Sequence, residues 1–270
     1  MTTITDRLRH LCYSCACMCM FSRRVERVSD TSIYARVTGN HQILIYEMRL
    51  RSETPVAMVL PLPTRRENED AVSFIDLSGY ATFFDDMRRC FSSPFTLSRK
   101  RPVAAAAGGI LRVHRVGAFD ASVVPSIGDF VRVDPRFRLP DDVWASVPGY
   151  DDYSFAVFQL ASGEARVHPM AMRFETRRPD AIYFPTTHVH DGLVHPTAGF
   201  DHVLYAQFAA KTFGWKRSEI APREVMDFGG VLKRDRTRGT VEPDIPISRR
   251  VLKGQLSNGD IWLRAARAAG

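Results

Sequence analysis

At 270 residues the chain is long enough for one large β-rich domain or two small ones, and 45% apolar content suffices for a sizeable core. Its formal charge is +7, and no apolar run approaches bilayer-spanning length, which argues against helical membrane insertion. Five cysteines, four of them between Cys12 and Cys19, do not read as a secreted disulfide framework and point to a reducing, cytoplasmic setting.

The first twenty residues carry Arg7 and Arg9 ahead of a short, polar stretch, a poor secretory signal. From Met20 onward the period is that of strands. Thr31 to Val37 and Gln42 to Leu50 are rich in β-branched and aromatic residues, with Thr38-Gly39-Asn40 as the turn between them. Val56 to Leu60 is a buried strand closed by Pro61 and Pro63. The first helix is expected over Tyr80 to Phe91, where Phe83, Phe84 and Met87 share a face. A strand follows at Ile110 to Val116, then a Pro- and Asp-rich excursion with a short helix near Asp141 to Ala145.

Further strands are expected at Tyr153 to Leu160, Arg166 to Phe174, Ala181 to His190 and His202 to Phe208. Ser218 to Met226 reads as a short capped helix. A hairpin, Ile247 to Leu256 with Ile261 to Arg264, turns at Ser257-Asn258-Gly259-Asp260. One echo links Ile45-Tyr46-Glu47-Met48 and Pro55-Val56-Ala57-Met58 to Val157-Phe158-Gln159-Leu160 and Pro169-Met170-Ala171-Met172. The expected fold is α+β: a β-dominated single domain of mainly antiparallel strands with a few short helices. Residues 1–18 form a leader or tail, 19–210 the β-rich core, and 211–270 a basic extension with a hairpin, packed on the core.

The C-terminal segment from Lys211 holds thirteen Lys/Arg against seven Asp/Glu, densest at Lys233-Arg234-Asp235-Arg236-Thr237-Arg238. No nucleic-acid motif accompanies that charge, so it reads as a solvated basic face, and neither nucleic acid nor membrane is expected as a partner. Cys19-Met20-Phe21-Ser22, Gln42-Ile43-Leu44-Ile45-Tyr46, Ala57-Met58-Val59-Leu60-Pro61-Leu62-Pro63 and His168-Pro169-Met170-Ala171-Met172 resemble an uncharacterised bacterial family with a Cys-Met-Phe-Ser start. That family is distantly similar to the DUF2330 group. The resemblance implies one mixed domain and carries no activity.

Four of the eight histidines fall between His188 and His202. On one strand His188 and His190 project from the same face and could share a metal, with His195 or His202 as third ligand. Asp191 or Asp201 could complete the shell, orient an imidazole or act in catalysis. Such His/carboxylate sets suit Zn or non-haem Fe, with Cu also compatible. His168 is a further candidate ligand, and His114 reads as structural. The leading expectation is a metal-dependent hydrolase or oxygenase acting on a small-molecule substrate. Met18-Cys19 also resembles a translational start, so Cys19 as an N-terminal nucleophile of an amide or ester hydrolase is one alternative. A non-catalytic binding module for an anionic partner is the other.

Overall fold

The computed structural model describes residues 19–65, 69–91, 114–116, 119–147, 149–189, 193–208, 212–218, 222 and 231–264. In chain order, β1 (Cys19–Phe21) precedes the long pair β2 (Arg27–Thr38) and β3 (His41–Ser52), then β4 (Val56–Leu62) and β5 (Val72–Asp76). Helix α1 (Phe83–Arg89) is followed by β6 (His114–Val116) and β7 (Phe119–Val124). After two 3-10 turns and helix α2 (Asp141–Ser146) come β8 (Ser154–Leu160), β9 (Gly163–Glu175), β10 (Ala181–Phe184) and β11 (His188–Val189). The chain ends with β12 (Thr197–Gln207), β13 (Lys216–Arg217), β14 (Ile247–Ser257) and β15 (Ile261–Arg264).

These strands form a six-stranded sheet, β11-β1-β4-β8-β7-β6, and a seven-stranded sheet, β13-β14-β12-β2-β3-β9-β5, with β10 and β15 as a small third pair. Most pairings are antiparallel; β1 with β11 and β12 with β2 are parallel. The β-dominated single domain expected from the sequence is what the chain adopts. β13 and β14, from the basic C-terminal segment, belong to the larger sheet.

Four layers explain why the central strands are apolar on both faces. In β3, Leu44, Tyr46, Met48 and Leu50 point into the core between the sheets, while Ile43 and Ile45 point outward under α1. Alternation therefore partitions one strand between two cores instead of between core and water. The outer face of the smaller sheet is covered in turn, with Phe130, Phe137, Leu139 and Val143 packed on Val59, Phe155 and Val157.

Several boundaries differ from the sequence reading. β4 runs through Pro61, which pairs with Phe155 where β1 no longer reaches, so the missing N–H disrupts no ladder. The helix expected over Tyr80 to Phe91 is shorter, preceded by a 3-10 turn at Ser78–Tyr80. The strand expected over Ala181 to His190 is two: β10 pairs with β15, whereas β11 joins the smaller sheet beside β1. Pro185-Thr186-Thr187 breaks the run. Likewise β14 and β15 follow each other without pairing, because β14 lies on β12 and β15 on β10. The expected helix at Ser218 to Met226 lies mostly outside the described residues. The internal echo falls on two of the connections that cross between sheets, β3 to β4 and β8 to β9.

Candidate functional site

The link between β14 and β15 fastens three sheets together. The Asn258 side-chain carbonyl accepts from the His188 backbone N–H at 2.7 Å, and its amide donates to the carbonyls of His188 at 3.0 Å and His195 at 2.9 Å. Asp260 Oδ1 accepts the backbone N–H groups of Thr186 at 2.9 Å and Thr187 at 3.0 Å, and the Thr187 hydroxyl at 2.8 Å. Its Oδ2 accepts the phenols of Tyr150, at 2.7 Å, and Tyr183. Burial, reinforced by the Asp260 charge, pushes both phenols well above the usual tyrosine range, so they stay protonated donors. A carboxylate offers roughly four lone-pair sites. Five donors occupy them, so Asp260 has no capacity left for a metal or substrate. The sequence shows Asn258-Gly259-Asp260 as a turn; nothing local reveals that its acceptors meet phenols more than seventy residues away.

Above this clasp two imidazoles do meet. His188 and His202 are both buried, with Nε2 atoms 3.4 Å apart, and each ring packs on Phe200. The Asp201 backbone N–H points at His202 Nδ1, 3.3 Å away. That pattern assigns the remaining proton to His202 Nε2, which donates to His188 Nε2. Burial holds the His202 pKa down at about 4, so the ring is neutral near pH 7.

The rest of the predicted constellation does not assemble. Asp201 is next to His202 on β12 and so faces the other side of the sheet, opposite Lys253 in register. His195 is exposed ahead of β12 and is tied to the clasp through its carbonyl. His190 and Asp191 lie outside the described residues. His168 sits on β9 with Nδ1 3.2 Å from the Pro169 carbonyl oxygen, and His114 opens β6. Cys19 is the first residue of β1, in register beside His188. Among the described residues no three His, Cys, Asp or Glu side chains come together as a metal-holding group. The metal-dependent hydrolase or oxygenase expected from the sequence is therefore corrected: among the described residues His188 and His202 form a buried pair, not a ligand cluster.

A second polar cluster, missed in the sequence, lies on the outer face of the larger sheet. Arg166 donates to Glu47 Oε1 through Nε at 2.9 Å and Nη2 at 2.6 Å, and to Asp85 at 2.7 Å. Two irregularities meet there, between Ser29 and Ser32 in β2 and between Tyr46 and Met48 in β3, with Asp30 at φ +54°. Burial pushes the Glu47 pKa up to about 7 despite the guanidinium. Both Arg166 bonds to Glu47 fall on Oε1, and Glu47 Oε2 is buried without a hydrogen-bond partner among the described residues.

What stays available is backbone. β14 pairs with β12 along its whole length, but on its other side β13 reaches only Arg249 and Ser248. The Ile247 carbonyl accepts from Ser218 N–H at 2.7 Å, so Ile247 faces the outer side. Alternation then turns the peptide groups of Val251, Lys253, Gln255 and Ser257 outward, and the inward Asn258 N–H on the Pro196 carbonyl at 2.9 Å agrees with this phase. Among the described residues no strand covers this stretch, and the Val251 side chain beside it is 57% exposed.

No family model matches the chain. Among solved structures, it is similar to baculovirus P35, at 10% identity and a TM-score of 0.46, over 92% of this chain and 100% of that one. It is also similar to a chain of the caspase-8/P35 complex (10% identity, TM-score 0.45, 88% of this chain and 96% of that one). A mutated baculovirus P35 after caspase cleavage matches at 11% identity and a TM-score of 0.43, over 88% and 98%. Likeness at this level transfers neither activity nor partner. No helix among the described residues is long and apolar enough to cross a membrane.

Proposed function

We propose that this protein acts by binding another protein, which adds an extended segment to the outer edge of β14. Strand addition at an uncovered sheet edge is a recurrent recognition mode, in which main-chain hydrogen bonds give affinity and alternate side chains give specificity. The observation that carries the reading is the run of outward peptide groups from Val251 to Ser257 with no neighbouring strand among the described residues. The clasp supports it, because Asn258 and Asp260 fix the end of β14 and lower the ordering cost of docking. The Asp260 carboxylate, by contrast, is engaged by five donors of the fold itself, which favours a scaffolding role for the clasp over a reaction centre.

A phage-displayed library of random extended peptides, selected on the full chain, tests this. Selected peptides should bind the unaltered chain and lose binding to Gln255→Pro, which removes an outward N–H while sparing the β12 ladder. Failure to enrich any peptide, or binding that survives Gln255→Pro, refutes strand addition. A mutated baculovirus P35 is cleaved by a caspase, and P35 forms a complex with caspase-8. Those facts belong to P35; a caspase enters here only as one member of a protease panel assayed against this chain.

A further inference from the structure

The free edge of β14 is not uniform, and its side chains decide which segment fits it. Gly254 and Leu256 stand opposite Phe200 and Ala198, both in the core between the sheets, so with Leu252 they share the inner face. Val251, Lys253 and Gln255 therefore share the outer face. Gly254 interrupts the inner face between two leucines, with φ +88° and its backbone exposed. No atom lies within 4 Å of the place a Cβ would take. Leu256 beside it is 36% exposed, so the inner side of this edge carries a shallow apolar notch floored by backbone. In an antiparallel pairing the outward hydrogen bonds fall at Lys253 and Gln255, which leaves Gly254 at a non-hydrogen-bonded position. There the backbones approach to about 4.5 Å between Cα atoms and cross-strand side chains pack closest. An aromatic ring on the incoming strand fills such a gap, as aromatic residues do beside edge glycines.

The outer face supplies the second constraint. β14 carries Arg249, Arg250 and Lys253 and no carboxylate, and β13 beside it adds Lys216 and Arg217. The Arg249 guanidinium lies over Phe91, 4.7 Å from the ring centroid, whereas Lys253 is exposed and forms no ion pair among the described residues. Asp201 is its register partner on β12, one strand inward. A residue added beside Lys253 is about 4.8 Å from it and about twice that from Asp201, so the lysine sets the local sign. Two copies pairing edge to edge would bring cations together, a common protection of an exposed strand against itself. The same charge favours an incoming carboxylate.

We infer that the segment recognised by β14 carries adjacent acidic and aromatic residues, the ring entering the notch at Gly254 and the carboxylate meeting Lys253. This rests on the strand addition proposed above and names its ligand, an extended acidic-aromatic segment of the partner protein. Neighbouring residues of an extended chain point to opposite faces, so one such pair meets both requirements at once.

Fluorescence anisotropy of the full chain with short, labelled, end-capped peptides tests this. The probe has threonine and valine at its ends and a central phenylalanine flanked on both sides by glutamate, so either strand direction sets a glutamate beside Lys253. Replacing both glutamates by lysine should weaken binding about tenfold, and replacing the phenylalanine by alanine about fivefold. Lys253→Glu should reverse the order of the glutamate and lysine peptides at an unchanged melting temperature, and Gln255→Pro should abolish binding of every probe. Probes that all bind alike and are all lost in Gln255→Pro leave strand addition standing and overturn this specificity. A preference for glutamate that Lys253→Glu does not reverse overturns it as well. Absence of binding by every probe up to about 1 mM also overturns it, and enrichment of other peptides from the random library would then show that strand addition survives. A concentration-dependent dimer of the free chain that Gln255→Pro abolishes would assign the edge to a second copy and overturn the inference.

Discussion

Replacing Asp260 tests whether the clasp holds the sheets together. In Asp260→Ala five donors lose an acceptor, among them the buried phenol of Tyr183, while the Tyr150 phenol can still donate to Thr187 Oγ1 at 2.8 Å. A hydrogen bond to a charged group is worth about 1.5–3 kcal/mol net, and breaking one side of a buried charged network costs about 3–5 kcal/mol. Because Asp260 is half-buried, water replaces part of what is lost, which places the expected cost near the lower end, about 3 kcal/mol. Asp260→Asn keeps one oxygen for the Thr186 and Thr187 amides and offers N–H groups to phenols that can turn to accept, so it should cost about 1–2 kcal/mol. Urea unfolding reads both, with Trp262 as reporter, since its ring lies 4.7 Å from that of Tyr183. For a chain of this size about 3 kcal/mol lowers the melting temperature by roughly 10 °C. An Asp260→Ala variant within about 0.5 kcal/mol of the parent, the scatter of ordinary surface substitutions, refutes the clasp.

Two buried groups should bend stability with pH in opposite directions. His202 has a folded pKa of about 4 against an ordinary 6.5, so its contribution is present above pH 6.5 and lost as pH falls to 4. Relative to His202→Gln, the parent should gain roughly 3 kcal/mol of unfolding free energy between pH 4 and 7.5. Glu47, raised from 4.5 to about 7, contributes below pH 4.5 and loses that contribution as pH rises through 7. Relative to Glu47→Gln, the parent should therefore lose roughly 3 kcal/mol between pH 4.5 and 8, so the parent's own profile is nearly flat where the windows overlap. Cys90 is buried, and its thiol is pushed up to about 12, so peptide mapping after iodoacetamide at pH 8 should find it unlabelled until the protein is unfolded.

The strands were legible because β-branched and aromatic runs at Thr31–Val37, Gln42–Leu50 and Arg166–Phe174 carry their own signal. Partnering was not. Nothing in the order of residues says that β12 lies parallel to β2, or that the segments around Asn258 part company to join different sheets. The histidine cluster shows the limit most clearly. Density along the chain put four imidazoles within fifteen residues, yet Pro185-Thr186-Thr187 ends β10 before His188. The period-two rule that placed His188 and His190 together also separates Asp201 from His202, a consequence available from sequence. The clasp and the Glu47–Arg166–Asp85 network were illegible because each joins residues more than thirty positions apart.

Residue-resolved amide hydrogen exchange along β14 tests the uncovered edge most directly. In the free protein the outward amides of Val251, Lys253 and Gln255 should exchange fast, while the inward amides of Leu252 and Leu256, bonded to β12, exchange slowly. A selected peptide should then slow the outward set alone. Uniform protection of both sets before any peptide is added would mean that the edge is already covered, and the binding account would fail.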